Sequence, residues 1–383
     1  MSLASQTRGP VSIGQKLWQI NWGLVFVVAM AGGIGLAMLY SAANGSFDPW
    51  ASRQAVRFAI GFAFMLIAAL IDIRLWLRYA YLIYFATLAL LVAVEISGTI
   101  GMGAQRWIDL KFIKLQPSEV MKVAMVLALA RHFNGLSNED IRRPLYLIVP
   151  LALVLAPAVL VLKQPDLGTA VMLLMVAGAV FFAAGVMLWK FGVLLALGVA
   201  AVPIGWNFLH EYQRLRVLTF LTPENDPQGS GYHILQSKIA LGSGGMFGKG
   251  FMEGTQSHLN FLPEKQTDFI FTMLAEEWGM VGGLVLLGLY VLILAYGFAI
   301  ALRSRNHFGR ILAVGLTANF FLYVFINIAM VMGLIPVVGV PLPLISYGGT
   351  ALLTVMLSLG LIMCVYVHRD RRISRLGLSE DAG

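Results

Sequence analysis

Apolar runs of roughly twenty residues recur along this chain from near its start to near its end, and no other feature restricts its fold so strongly. Ten candidate spans lie near 22–42, 55–71, 79–96, 117–133, 144–162, 168–188, 191–209, 278–302, 310–333 and 349–367. The composition agrees. Hydrophobic residues make up 59% of the chain and charged residues 12%, with mean hydropathy +0.80, whereas a soluble domain is about a quarter charged. The expectation is an all-α membrane protein, a polytopic bundle of about ten transmembrane helices. Cys364 is the single cysteine, so no internal disulfide can form, and cysteine usage says nothing about redox compartment. The leading MSLASQTRGPVSIGQKLW has no short apolar core with a small-residue cleavage site, so the first run reads as a retained span.

An even number of spans puts both termini on one side, and Lys and Arg decide which. With the termini cytoplasmic, more than half of the 27 basic residues fall on inner segments, among them Arg74, Arg78, Arg131, Arg142, Arg143, Lys190, Arg303, Arg305 and Arg310. The net charge of +8 is then a topology signal and no argument for nucleic acid. The expected organisation is a cytoplasmic tail over 1–20, one membrane domain over 21–368 with a large outer loop near 210–267, and a second cytoplasmic tail over 369–383. A loop of that length is usually functional or disordered. Within it, EYQRLRVLTFL (211–221) and YHILQSKIAL (232–241) mix apolar and basic residues at helical spacing, suited to lying flat on the membrane surface.

Four outer clusters carry polar chemistry. FLPEKQTDFIF (261–271) brings Glu264, Lys265 and Asp268 to the head of a long apolar run. DFIFTMLAEE (268–277) reads as a helical lead-in with Asp268, Thr272, Ala275 and Gly279 on one side, a small-residue groove descending from the carboxylate. Spacing leaves two readings of Asp268 open: Thr267 or Asp268 caps the helix, or the carboxylate acts on a ligand. In AQRWIDLKFIKLQPSEVMK (104–122), Pro117 suits a first helical turn, and Glu119 and Lys122 share a face one turn into a span. Ionisable groups at such depth usually face a cavity; a structural ion pair between helices is the alternative. Arg106 and Trp107 suit a loop folding back on the bundle, with an interfacial anchor as the other reading of Trp107. KQPDLGT (163–169) places Lys163 and Asp166 on a tight turn, and PLISYGGT (343–350) adds Ser346 and Tyr347.

Other patterns lead nowhere. LGSGGMFGKG (241–250) has Ser243 where a phosphate-binding loop needs Gly and Gly250 where it needs Ser or Thr, so it reads as a flexible turn. His210, His233 and His258 lack helical ligand spacing, which argues against a zinc site. No internal repeat suggests a transporter. The four clusters share the outer side. Together they describe a pocket at the membrane surface for a ligand with a lipid tail, an anionic junction and a polar head.

QRWIDLKFIKLQPSEVMK, KQPDLGT, TQSHLNFLPEKQTDFIFTMLAEEWG and PVVGVPLPLISYGGT resemble, in the same order, the signature segments of the SEDS family (shape, elongation, division and sporulation). Only about 1–20 and 370–383 lie outside the resemblance. Around TQSHLNFLPEKQTDF the chain is similar to the family's elongation branch, with the division branch the close alternative. The resemblance implies the SEDS fold and a multi-pass protein of the bacterial cytoplasmic (inner) membrane. It implies a peptidoglycan glycosyltransferase that polymerises lipid II on the outer face during elongation and shape maintenance, releasing polyprenyl diphosphate. A class B penicillin-binding protein, which crosslinks the strands, and other elongation-complex proteins are the implied partners. The family's required aspartate falls on Asp268.

The implied reaction displaces an α-linked lipid diphosphate to form a β-1,4 link, with inversion. Asp268 would serve as general base, or would orient the acceptor with a divalent cation, Mg2+ or Mn2+, carried by the substrate diphosphate. No covalently bound cofactor and no protein metal site are expected. Arg106, Lys122, Lys163 or Arg216 would stabilise the leaving diphosphate. Trp107, Glu119, Asp166, His258, Glu264, Lys265 and Ser346 complete the expected substrate contacts, with Glu119 holding Lys122 in place. A lipid flippase is the rival of a different class. It would need polar groups leading to both faces, yet Asp72 and Arg74 are the only comparable inner group. A noncatalytic scaffold is the weaker third reading.

Overall fold

Each apolar run becomes a helix. The computed structural model describes residues 13–101, 104–109, 114–208, 211–222, 230–258 and 264–371. A short α1 (Ile13–Trp18) leads into α2 (Trp22–Ala42), α3 (Ala51–Leu70) and α4 (Ile73–Ser97). Then come α5 (Pro117–Asn134), a short α6 (Asn138–Arg142), α7 (Ile148–Lys163), α8 (Leu167–Ala183) and α9 (Leu188–Phe208). The loop region holds α10 (Glu211–Leu221), α11 (Ser230–Ser243) and α12 (Thr255–His258), and α13 (Ile270–Arg303), α14 (His307–Val331) and α15 (Gly349–Val367) close the bundle. Among the described residues, seven helices are long and apolar enough to cross a membrane: α2, α3, α4, α7 with its preceding turn, α13, α14 and α15. The other three expected spans are α5, which carries Glu119, Lys122 and Arg131, and the shorter apolar helices α8 and α9.

Side-chain caps set several boundaries that periodicity missed. Asp72 accepts the Arg74 N–H at 2.9 Å and starts α4 at Ile73, earlier than the apolar run near 79. Asp166 likewise accepts the Thr169 N–H at 3.2 Å at the head of α8, and Asn306 caps α14. Burial is uneven. Some 72% of the most apolar stretch of α14 and of α15 is enclosed, against 28% for α3 and α4, so α14 and α15 form the centre and α3 and α4 present a broad lipid face. Small residues bring helices together as lipid-embedded packing requires. A Cβ on Gly360 would lie 2.5 Å from the Met65 carbonyl, so α15 crosses α3 almost backbone to backbone.

The segment after α4 is a small antiparallel sheet, which the sequence reading treated only as a loop folding back. Strand β1 (Thr99–Gly101) pairs with β2 (Ala104–Asp109), and β2 with β3 (Lys114–Leu115). The sheet does return to the bundle: Thr350 Oγ1 at the head of α15 donates to the Lys114 carbonyl at 2.8 Å and accepts the Gln116 N–H at 3.3 Å.

The Gly-rich segment near 244–250 is not a flexible turn, as the sequence suggested, but a seat for a break in α13. Gly279 has φ +66° and ψ −163° and interrupts that helix. The backbone groups freed by the break bond to the Gly-rich segment instead: Lys249 N–H and Gly250 N–H donate to the Glu276 and Glu277 carbonyls, and Met280 N–H and Val281 N–H donate to Gly245 and Met246. Near lipid such groups must find protein partners. Gly248 combines φ +80° with a close approach, because a Cβ there would lie 2.0 Å from the Glu277 carbonyl oxygen. Gly248→Ala is therefore expected to destabilise the protein by at least about 2 kcal/mol, from backbone strain plus the clash. Thermal unfolding in detergent measures this, and an unchanged melting temperature would show that the seat yields.

Candidate functional site

The end of the bundle that carries the sheet gathers all four sequence clusters. Its centre is where the segment before α13 meets the long connection between α14 and α15. Tyr347 N–H donates to the Gln266 carbonyl at 2.8 Å. Ser346 Oγ donates to the Thr267 carbonyl at 2.6 Å and accepts the Leu342 N–H at 2.7 Å. Ser346, expected to contact a substrate, is 4% exposed and instead ties two chain segments together. Glu264 adopts φ +59° and accepts from Thr267 Oγ1 at 2.9 Å through its own carboxylate. Lys265 is buried, and that burial lowers its pKa from the ordinary lysine value.

Asp268 sits half-buried at this junction. The helix after it starts at Ile270, with Phe269 at the N-cap position and no side-chain capping bond, so neither Thr267 nor Asp268 caps α13. The carboxylate faces Gly339: a Cβ built on that glycine would lie 3.5 Å from Asp268 Oδ2. The groove expected below Asp268 is filled by the chain itself. Thr272 is fully buried with its hydroxyl 2.9 Å from Ser237 Oγ on α11, and Gly244 packs on the Ala275 carbonyl. Helix α11 is thus docked on α13, with Ile234, Ser237 and Ala240 buried, and does not lie free on a membrane surface.

Glu119 and Lys122 form an ion pair of 2.8 Å at 4% and 1% exposure. Tyr323 of α14 donates its hydroxyl to the second Glu119 oxygen, and its ring lies under Lys122 Nζ at 4.2 Å. Lys122 has no exposed surface to offer a diphosphate in this conformation; its charge faces Glu119 and the ring. The pair ties α5 to α14, the alternative that spacing had left open.

Arg106 joins two clusters that are 58 or more residues apart in sequence. It donates to the Pro165 carbonyl at 2.7 Å and the Gln164 carbonyl at 3.3 Å, and its Nε lies 3.6 Å from Asp166 Oδ2. Beside this contact a cavity of about 360 Å³ opens between α8, α10 and α14. Arg106 and Asp166 edge it, and Val171, Met175, Phe325 and Ile326 form apolar walls. Residues Ile335 to Val338 complete the lining and lead directly to Gly339 against Asp268. Lys163 is exposed nearby, and Trp107 is half-buried on β2. Arg216 falls on α10 and His258 ends α12, but their side chains, like residues 259–263, lie outside the described residues. Among the described residues no three His, Cys, Asp or Glu side chains converge on a cation site.

Four participants escaped the sequence reading. Tyr323 and Asn327 are polar residues in an apolar span, as are Thr317 and Asn319, a recognisable signal. Glu276 and Lys249, 2.7 Å apart, had no local signal, because their pairing depends on the break at Gly279.

Comparison with known proteins now bears on this arrangement. A family model, FtsW/RodA/SpoVE, described as cell cycle protein, matches residues 21–371. The chain is 47% identical over 336 residues to the peptidoglycan glycosyltransferase MrdB of Escherichia coli strain K12, covering 87% of this chain and 90% of that one. It is 38% identical over 352 residues to a probable peptidoglycan glycosyltransferase FtsW of Trichlorobacter lovleyi, covering 89% and 91%. Among solved structures, the crystal structure of the rod shape determining protein RodA of Thermus thermophilus matches with a TM-score of 0.70 at 30% identity, covering 92% of this chain and 98% of that one. A chain from a study of the structural coordination of polymerization and crosslinking by a peptidoglycan synthase complex matches with a TM-score of 0.78 at 34% identity, covering 92% and 99%.

Proposed function

The chain belongs to the FtsW/RodA/SpoVE family of cell cycle proteins, and from that premise we propose that it is a peptidoglycan glycosyltransferase polymerising lipid II, with Asp268 as its general base. The observation that carries the catalytic part is the placement of Asp268. Asp268 is half-buried and plays no capping role; its carboxylate faces a glycine, and that glycine continues directly from the loop that lines the apolar cavity. The elongation branch is favoured by 47% identity to MrdB of Escherichia coli, against 38% to the FtsW relative.

The acceptor sugar hydroxyl approaches Asp268, which takes its proton as the oxygen attacks the anomeric carbon of the donor. The bond from that carbon to the lipid diphosphate breaks on the opposite face, giving inversion. The diphosphate leaves as an anion and needs no general acid, unlike the leaving group of a glycosidase. Arg106, 23% exposed and edging the cavity, and the exposed Lys163 are the cations proposed to meet that charge. A divalent cation held by the diphosphate oxygens would supply further charge neutralisation. The apolar walls of the cavity suit the first part of a polyprenyl chain. Glu119, Lys122, Tyr323 and Ser346 hold the frame and do not meet substrate.

The Asp268 end faces the cell exterior in this reading, because Arg and Lys crowd the connections at the opposite end. A class B penicillin-binding protein is the partner proposed from the match to a chain of a synthase complex. The decisive experiment incubates purified protein with lipid II, with and without that partner, and separates products on a gel. Glycan polymer is expected. Translocation of lipid II in vesicles with no polymer under any condition would overturn the proposal.

A further inference from the structure

Asn327 lies on α14 one turn beyond Tyr323 and about one turn from the helix end at Val331, and is 0% exposed. Its amide nitrogen donates to two main-chain carbonyls, Asp268 O at 3.0 Å and Val340 O at 2.7 Å. Because both neighbours are acceptors, the orientation of the amide is determined: the NH2 group must face them. Its oxygen is buried with no hydrogen-bond partner among the described residues. That unpartnered oxygen costs stability, which the two donor bonds offset. What asparagine adds is a pair of donors joining two chain segments. One carries the Asp268 carboxylate, and the other carries Gly339, whose Cα that carboxylate faces.

We propose that Asn327 is a positioning residue for the glycosyl transfer: its side-chain amide fixes the main chain of Asp268 against the Gly339–Val340 segment, and so sets the direction of the carboxylate. The helix lends it precision. Four residues earlier, Tyr323 bonds Glu119, so the buried ion pair holds α14 in register against α5. Asn327 then passes that register to the catalytic loop. The hydroxyl of Ser346 holds Thr267, the neighbouring residue, from the other side. The Asp268 backbone is thereby gripped from two elements, while the residue itself is only half-buried.

The inference rests on Asp268 being the general base, and the experiment separates the two claims. Asn327→Ala and Asn327→Leu are purified with their partner and assayed on lipid II, with melting temperatures measured in the same detergent. Both are expected to lower kcat by about 10- to 100-fold, the effect of a displaced catalytic group, with KM for lipid II within about twofold. Asn327→Leu removes the unpartnered oxygen but leaves the Asp268 and Val340 carbonyls without their donor, so it should melt somewhat below the wild type, and activities are compared at a temperature where the melting curves show every variant folded. In an Asp268→Glu background, whose carboxylate is already displaced, Asn327→Leu should cost less than about twofold more. Wild-type kcat in Asn327→Leu, or losses that multiply independently in the double variant, would overturn the positioning role. Full activity of Asp268→Ala would instead overturn the reading beneath it.

Discussion

Asp268→Ala is expected to reduce glycan polymerisation by about 100- to 10,000-fold, the range for removal of a positioned general base, without the cost of a lost helix cap. The second half of that result follows from the geometry. A capping aspartate would cost about 1 kcal/mol on removal, but α13 begins at Ile270 with Phe269 in the N-cap position and no side-chain cap bond. The contact that holds this stretch to Asn327 uses the Asp268 main-chain carbonyl, which alanine keeps. Asp268→Asn should be nearly as inactive, since it preserves shape and loses the base. Polymer yield from lipid II at equal protein concentration is the measurement. Half or more of the wild-type rate in either variant would remove Asp268 from the mechanism.

The other large effect concerns the buried pair on α5. Lys122→Met leaves Glu119 as an uncompensated charge at 4% exposure, and loss of one partner of such a pair costs about 3–5 kcal/mol. Tyr323 still donates to Glu119, which moderates the loss without supplying a counter-charge. Replacing both members, as Glu119→Leu with Lys122→Met, should recover much of that stability, because well-packed apolar residues often replace a buried ion pair at little cost. Thermal unfolding of the two single variants and the double variant forms a complete cycle. If either single variant melts as the wild type does, the pair does not hold α5 to α14.

The bundle was legible because spans in lipid announce themselves by length. The ten runs coincide with ten helices, and errors were confined to ends such as Ile73, where a cap extends the helix beyond its apolar stretch. The sheet was missed because its pairing partners are short, β1 and β3 having 3 and 2 residues. At the site, charge in an apolar chain pointed to Glu119, Lys122, Arg106 and Asp166, and their contacts form the expected clusters. Spacing could not tell a residue aimed at a ligand from one aimed at its own chain. Thr272 and Ala275 pack against α11 and the Gly-rich segment, and Ser346 bonds to the Thr267 carbonyl, for reasons set by residues far away in sequence. The break at Gly279 was equally hidden, because a glycine inside an apolar helix is unremarkable until another segment is seen to fill the gap.

That seat has a consequence in polymer terms. The chain between α9 and α13 would, if free, be one long arc whose closure entropy falls on whatever it positions. Docking α11 through Ser237, the glycines through Gly248 and Gln256 through the Glu276 carboxylate divides it, so that the arc next to Asp268 runs from Gln256 to Glu264. Closing a shorter arc costs less, by about 0.6 kcal/mol for each halving, and fewer conformations remain to be lost when a substrate arrives. The glycines bond to the chain itself, and by doing so they shorten the tether of the loop that carries Asp268.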